Sequence, residues 1–382
     1  MRKICVVVGS RANYSSIKSV MLSVKRRDDL KLQVILTASA LLDRYGMVAN
    51  LIKEDGFEVD AEVRMLLEGE SPLTMAQSTG IGLMNIPQEI ERLDPDVVFT
   101  VGDRFETMST TLATTYMNKH LAHTMGGEVT GTIDESIRHA ITKFAHIHFP
   151  ACEDARQRII KMGELPEFVF NVGCPRIDLV RDYLEEEIDI SHIFEKGVGS
   201  EIDLNRPYLL VSQHPVTTEY GKAEKQIWQT LSALTFFDLP AIVLWPNADA
   251  GSEDISKGIR KWRERGLAKN MHFFKNLPIQ VYVKLMKHAA CLIGNSSSGI
   301  REGAFIGTPV VNIGSRQNGR MRGENVLDVA TEKDEIVEAV DRQLEAGCYK
   351  PSEIYGGGNA GEKIASILSD LTLPPLQKRI CY

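Results

Sequence analysis

The sequence predicts a parallel α/β protein built in two halves. Three observations carry that expectation. Short apolar runs alternate with helical stretches along the whole chain. The 382 residues exceed one ordinary core, so two domains of roughly 170–200 residues each are expected. Between two sets of runs lies an acidic stretch, 183–207, with Glu185, Glu186, Glu187 and Asp189 and no strong strand pattern.

In the first half the strand-like runs are 4–8, 32–36, 97–101, 121–123, 147–149 and 168–172. In the second half they are 208–211, 242–245, 272–274, 291–293 and 309–313. Each is a few residues long, rich in β-branched or apolar side chains, and bounded by turn residues. The expected division is 1–183, then 200–363, then a tail at 364–382. An amphipathic helix at 362–371 is expected to pack back on the first domain.

Composition excludes several classes. Net charge is −7, which favours neither nucleic acid nor an acidic membrane surface as partner. No apolar run approaches the ~20 residues that span a bilayer. The first residues lead directly into Lys3-Ile4-Cys5-Val6-Val7-Val8-Gly9, expected as a strand and not as a secretory signal. The six cysteines form no CxxC pair. Reduced, mostly buried thiols in a cytoplasmic protein are expected.

Ligands of open parallel sheets gather at the carboxyl ends of the strands. The 4–8 run exits into Gly9-Ser10-Arg11-Ala12-Asn13-Tyr14-Ser15, which lacks a GxGxxG fingerprint; Arg11 is either a phosphate contact or a surface cation. The 97–101 run exits into Gly102-Asp103-Arg104. Asp103 there is a reactive carboxylate or a helix N-cap, and Arg104 a ligand contact or a surface cation. After His123 comes the most chemically loaded loop, Gly126 to Ser136. It offers Glu128, Asp134 and Glu135 as acid/base groups, before a helix expected at 137–145. Its plainer reading has Asp134 or Ser136 capping that helix and Glu128 solvated. His146 and His148 share one face of a strand; a buried, hydrogen-bonded pair is expected, and no metal, because no third ligand accompanies them.

In the second half, His214 follows a strand directly and precedes Pro215, either structural or facing a ligand. The 242–245 run exits through Asn247 and Asp249. The 291–293 run exits into Gly294-Asn295-Ser296-Ser297-Ser298-Gly299-Ile300-Arg301-Glu302, a small-residue loop expected to continue as a helix. Unpaired N–H groups and the helix dipole collect at such a point and suit a phosphate. Glu302 is placed to accept from ribose hydroxyls or merely to compensate the dipole; the alternative for the whole loop is a plain polar βα turn. Arg316, after the next strand, can reach a diphosphate. Two α/β halves facing a cleft, with phosphate-friendly loops in one and carboxylates in the other, suggest a nucleotide-sugar enzyme.

The run 126–143, the stretch Gln213-His214-Pro215-Val216-Thr217-Thr218 and the serine loop with Arg301-Glu302 resemble the hydrolysing UDP-N-acetylglucosamine 2-epimerases of sialic-acid and legionaminic-acid pathways. The resemblance covers nearly the whole chain. It implies two Rossmann-like domains of the GT-B type and a homodimer or tetramer. It also implies elimination of UDP to a 2-acetamidoglucal, followed by water addition that releases N-acetylmannosamine, with no cofactor or catalytic metal. Asp103 and Asp134 match acid/base carboxylates, with Glu128 and His214 as further catalytic candidates. Arg11, Ser15, Arg104, His214, Asn247, Leu277, Ser296, Ser297, Glu302 and Arg316 match nucleotide-contacting positions.

The sequence departs from that family pattern on the sugar side. Val101 and Ala40 stand where the sialic-acid members carry histidines, and Met125 stands where they carry a catalytic glutamate. All three changes are towards apolar. The substrate expected is UDP-N-acetylglucosamine, with a UDP- or GDP-linked 2,4-diacetamido-2,4,6-trideoxyglucose as the alternative, and Glu128 as a stand-in for the missing glutamate. A glycosyltransferase using the same nucleotide site and a catalytically silent binding protein are the competing readings.

Overall fold

A computed structural model describes residues 1–43, 47–68, 71–131, 133–246, 251–275 and 277–381. They form two compact units. Unit 1 holds Met1–Glu128, Asp134–Leu179 and the chain from Tyr355 on; unit 2 holds Val129–Ile133 and Val180–Ile354.

Unit 1 alternates strand and helix: β1 (Arg2–Val8), α1 (Arg11–Lys25), β2 (Leu30–Thr37), α2 (Val48–Glu54), β3 (Ala61–Val63), α3 (Pro72–Leu93), β4 (Val97–Val101), α4 (Phe105–Tyr116), β5 (His120–Thr124), α5 (Asp134–Phe144), β6 (Ile147–Phe149), α6 (Glu153–Lys161) and the start of α7 (Pro175–Glu185). The strands form one sheet in the order β3-β2-β1-β4-β5-β6, every neighbouring pair parallel. β4 and β6 are buried at every position. Burial of every position, including the polar Thr100 and His148, is what a parallel sheet covered on both faces requires. Local signals place the helix starts. Ser10 accepts from the Asn13 N–H to cap α1, and Ser71 with Thr74 makes a capping box ahead of Pro72 in α3.

Two elements differ from expectation. The run 168–172 is not a strand. Pro166–Phe168 makes a 3-10 turn, and a single bridge joins Val169 to His148. β3 was not expected, because three residues, Ala-Glu-Val, are too few for a pattern.

Unit 2 has β7 (Val198–Gly199), β8 (Leu209–Ser212), α8 (Ala223–Leu234), β9 (Ala241–Leu244), α9 (Ser252–Glu264), β10 (Met271–Phe274), α10 (Ile279–His288), β11 (Cys291–Gly294), α11 (Ser297–Ile300), α12 (Glu302–Ile306), β12 (Val310–Ile313), β13 (Val326–Val329) and α13 (Lys333–Ala346). Its sheet runs β13-β12-β11-β8-β9-β10-β7, parallel except that β7 pairs antiparallel with β10. The short edge strands carried no sequence pattern; β7 is exposed and β13 largely half-buried. Four of the six cysteines, Cys5, Cys152, Cys174 and Cys291, are buried.

The last helix, α14 (Ala360–Asp370), belongs to unit 1 and packs on α1. The approach is close: a Cβ at Gly361 would lie 2.6 Å from the Ser19 carbonyl oxygen. Its N-terminus is capped from a distance. Both Asp178 carboxylate oxygens accept there, from the N–H groups of Ala360 at 2.9 Å and Gly361 at 2.7 Å. Two donors that the helix itself leaves without partners are thus met by one buried charge.

The tail beyond α14 closes a buried polar cluster. Lys378 reaches Glu164 at 2.6 Å. Glu164 also takes Lys143 at 2.5 Å and His148 Nε2 at 3.2 Å. Burial works to raise the Glu164 carboxyl, but these three donors overcome it and hold it down at about 2. His146 is held neutral: its Nδ1 accepts from the Leu121 N–H and its Nε2 donates to the Leu376 carbonyl. Burial lowers His146 and His123 to about 4 each.

Two outcomes are expected. Asp178→Ala removes the distant cap of α14 and costs about 1–3 kcal/mol, read as a lower thermal midpoint; an unchanged midpoint refutes the capping role. The second concerns acid. Groups with depressed histidine pKa values bind protons only when unfolded between pH 6.5 and 4, so stability is full above 6.5 and falls towards 4. Each of His123 and His146 then removes ~2 kcal/mol by pH 5. Glu164 contributes its own loss only below pH 4.5. A urea midpoint that is flat between pH 7 and 5 contradicts the neutral assignment.

Candidate active site

The carboxyl ends of the unit 1 strands bring together the residues singled out in the first half. After β4, Gly102 turns the chain with φ +75°. Its N–H donates to the Thr124 carbonyl, and its carbonyl accepts from His123 Nε2 at 2.7 Å. His123 is fully buried on β5, so this bond fixes the loop from beneath. Asp103 follows and is not an N-cap, because the N-cap of α4 is Arg104. The Asp103 side chain keeps 26% exposure while one oxygen takes the Arg138 guanidinium. Arg104 lies half-buried, its Nε donating to Glu106 at 2.8 Å. Glu106 is buried under the β1 exit: a Cβ at Gly9 would lie 2.4 Å from its Cγ.

Beyond β5, Met125 has φ +61°, a left-handed conformation that a methionine seldom adopts. The two glycines after it are demanded by packing. A Cβ at Gly126 would meet the His123 ring at 2.8 Å, and one at Gly127 the Ala155 carbonyl at 2.4 Å. That explains the glycine-rich look of this loop without a ligand. Glu128 is buried, and its carbonyl accepts from Arg138 at 2.8 Å. Asp134 and Glu135 form the first turn of α5, so this helix starts three residues before the expected 137. Arg138 sits one turn on and is the residue that the sequence reading missed. It is 1% exposed, contacts Asp103 and the Glu128 backbone, and lies 3.6 Å from Glu135. A signal was available. Arg138 shares the buried face of α5 with Ile141 and Thr142, and a cation on an apolar face needs a carboxylate partner.

Arg11 is half-buried at the start of α1; burial and then the nearby Arg176 lower its pKa. Ser15 lies on the buried side of α1, its hydroxyl donating to the Ala12 carbonyl at 3.1 Å. Of the three sugar-side positions, Ala40 is fully buried and touches protein alone, its N–H bonded to the Gly9 carbonyl. Val101 and Met125 are 3% and 7% exposed. Among the described residues no group of three or more potential metal ligands occurs.

Unit 2 builds its strand-end site around Asn295. Gly294 carries φ +136°, and a Cβ there would lie 2.1 Å from the Ser212 carbonyl, so only glycine lets β11 and β8 end side by side. Asn295 then bonds both backbone groups of His214, accepting from its N–H at 2.7 Å and donating to its carbonyl at 2.9 Å. The Asn295 carbonyl accepts from Arg316 at 3.3 Å and Gln317 at 2.9 Å. His214 and Arg316 are therefore tied to one residue. The serine loop does not run on as one helix. Ser296 caps the single turn α11, the chain bends at Arg301, and buried Glu302 opens α12. Ser296 and Ser297 stay half-exposed, while Ser298 is buried between Ser296 at 2.8 Å and the Tyr282 hydroxyl at 2.7 Å. Leu277 is half-buried against the core beneath β8 and β11. Asn247 lies outside the described residues. The segment Val129–Ile133 packs in unit 2, where the Gly131 N–H meets the Arg316 carbonyl at 3.4 Å.

Known proteins with similar sequences share this plan. The family model described as UDP-N-acetylglucosamine 2-epimerase matches residues 22–369. A UDP-N,N'-diacetylbacillosamine 2-epimerase (hydrolyzing) of Legionella pneumophila is 33% identical over 373 residues, 98% of this chain and 97% of that protein. A GDP/UDP-N,N'-diacetylbacillosamine 2-epimerase (hydrolyzing) of Campylobacter jejuni is 33% identical over 86% of this chain and 84% of its own. The crystal structure of a UDP-GlcNAc 2-epimerase from Neisseria meningitidis bound to UDP-GlcNAc superimposes with a TM-score of 0.81 at 19% identity, covering 96% of this chain and 99% of that one. That likeness supports the GT-B-like fold class of two Rossmann-like units. With the fold, the strand-end loops and these matches in agreement, the chain belongs to the UDP-N-acetylglucosamine 2-epimerase family.

Proposed function

We propose that the protein hydrolyses a UDP-linked 2-acetamido sugar with inversion at C2, and that its substrate is UDP-2,4-diacetamido-2,4,6-trideoxyglucose. The observation that carries the reaction is the cluster at the β4 and β5 ends, where the Asp103 and Glu135 carboxylates and the Glu128 backbone carbonyl gather on Arg138 with Asp134 at the head of α5. An elimination needs a base for the C2 proton and cationic or N–H stabilisation of the departing diphosphate. In the first step a carboxylate takes the C2 proton while the C1–O bond to UDP breaks, leaving UDP and a 2-acetamidoglucal. In the second, water adds hydroxide at C1 and a proton is returned to C2 from the opposite face. The free manno-configured sugar leaves. Asp103 and Asp134 are assigned to these proton transfers, and Glu128, which is buried, is assigned the part that Met125 cannot take. His214, Ser296, Ser297, Glu302 and Arg316 are assigned to the nucleotide, with Arg11 and Arg104 to its phosphates. The same reading carries a cytoplasmic setting and a homodimer.

Two lines support the diacetamido sugar over UDP-N-acetylglucosamine. Both relatives named by that substrate are 33% identical. Val101 and Met125 are apolar where polar sugar-side groups are expected, which suits a 6-methyl and a second acetamido in place of hydroxyls. Ala40 adds nothing here, since it is sealed.

Proton NMR in heavy water tests the reaction. Free manno-configured sugar carrying deuterium at C2 is expected from the diacetamido substrate, faster than from UDP-N-acetylglucosamine. Nucleotide sugar left intact despite binding would point to a transferase or a silent binding protein, and a strong preference for UDP-N-acetylglucosamine would sink the substrate assignment. Asp103→Asn and Asp134→Asn are each expected to lower kcat by about 10²–10⁴-fold with UDP affinity little changed. Met125→Glu keeps the backbone demand and is expected to shift the ratio of kcat/KM towards UDP-N-acetylglucosamine by about tenfold.

A further inference from the structure

We propose that Arg138 is a positioning residue for this reaction: its guanidinium, sealed from solvent, holds the Asp103 carboxylate and the Glu128 backbone in their reacting geometry. This rests on the epimerase reading above and deepens it.

The exposure of the two partners decides the role. Arg138 is 1% exposed, whereas the Asp103 side chain is 26% exposed. A substrate can reach the carboxylate and cannot reach the guanidinium, so Arg138 acts through Asp103. Its contacts also span three separate elements. Nη2 meets Asp103 in the β4–α4 loop, Nη1 donates to the Glu128 carbonyl after β5, and the same nitrogen lies 3.6 Å from Glu135 on α5. From the other side, His123 donates to the carbonyl of Gly102 next to Asp103, so the loop is gripped by two buried groups.

Burial makes the pairing obligatory. A guanidinium out of water is costly unless charged and hydrogen-bonded partners meet it. A cation in contact also favours the ionised form of its carboxylate. Asp103 is thereby kept as an anion, fit to accept a proton rather than to donate one.

The test is steady-state kinetics of sugar release and C2 deuterium incorporation for Arg138→Met, Arg138→Lys, Asp103→Asn and the Asp103→Asn/Arg138→Met double variant, with UDP binding as the check on folding. Arg138→Met is expected to lower kcat by roughly 100-fold, the cost of a small misplacement of a reacting group, with KM and UDP affinity within about threefold. The acid limb of its kcat profile is expected to move up by about one pH unit as Asp103 loses its cation. Arg138→Lys is expected to recover part of the rate, and the two single losses not to add in the double variant. A kcat within threefold of the parent, an unmoved acid limb, or full additivity overturns the proposal. Should Arg138→Met fail to fold, Arg138→Lys carries the same pH and additivity readouts. Turnover by the parent with unaffected Arg138 variants removes this inference alone; no turnover by the parent on any nucleotide sugar removes the epimerase reading with it.

Discussion

A guanidinium with almost no access to water has to be met on every side, and that constraint shapes the reactive end of unit 1. Arg138 cannot be placed until the β4–α4 loop delivers Asp103 and the β5 exit delivers the carbonyl of Glu128. The details around it serve the same placement. Gly102 takes a left-handed turn so that Asp103 faces back towards α5. His123 stays neutral because burial lowers its pKa, and so it can donate to Gly102 without adding a second charge beside the guanidinium. Gly126 and Gly127 leave room for the His123 ring and for α6.

Unit 2 meets a different constraint with an uncharged group. Asn295 supplies a donor and an acceptor to the two backbone groups of His214, and its own carbonyl gathers Arg316 and Gln317. An amide can do both at once because it carries both kinds of atom. The strand ends of β8, β11 and β12 are therefore cross-linked before any ligand arrives. Loops ordered in this way lose little entropy if a ligand binds them. Unit 1 fixes its strand-end loops through a buried ion pair, and unit 2 fixes its own around the uncharged Asn295.

This division fits the two tasks of a nucleotide-sugar epimerase. Proton abstraction needs a carboxylate whose charge and direction are set in advance. Nucleotide capture needs donors and hydroxyls that survive repeated loading and release. Val101 and Met125 flank the first arrangement, whose Arg138 contacts run to Asp103, Glu128 and Glu135.

Local chemistry alone determined much of this protein. The apolar runs of β4 and β6 match their strands residue for residue, because strands covered on both faces cannot alternate. Ser10, Ser71 and Pro72 mark helix starts through short-range bonds. The motifs around Asp103, Glu128, Asp134, His214 and the serine loop pointed to the family. The edge strands β3, β7 and β13 and the 3-10 turn at Pro166–Phe168 were beyond the pattern, being too short or too exposed to show a period. Only the tertiary structure decided that Ala40 is sealed, that the serine helix breaks at Arg301, and that Arg138 joins Asp103 and the Glu128 carbonyl. Its partners lie 35 and 10 residues away along the chain, and a buried ion pair exists only where the folded sheet brings such distant groups together.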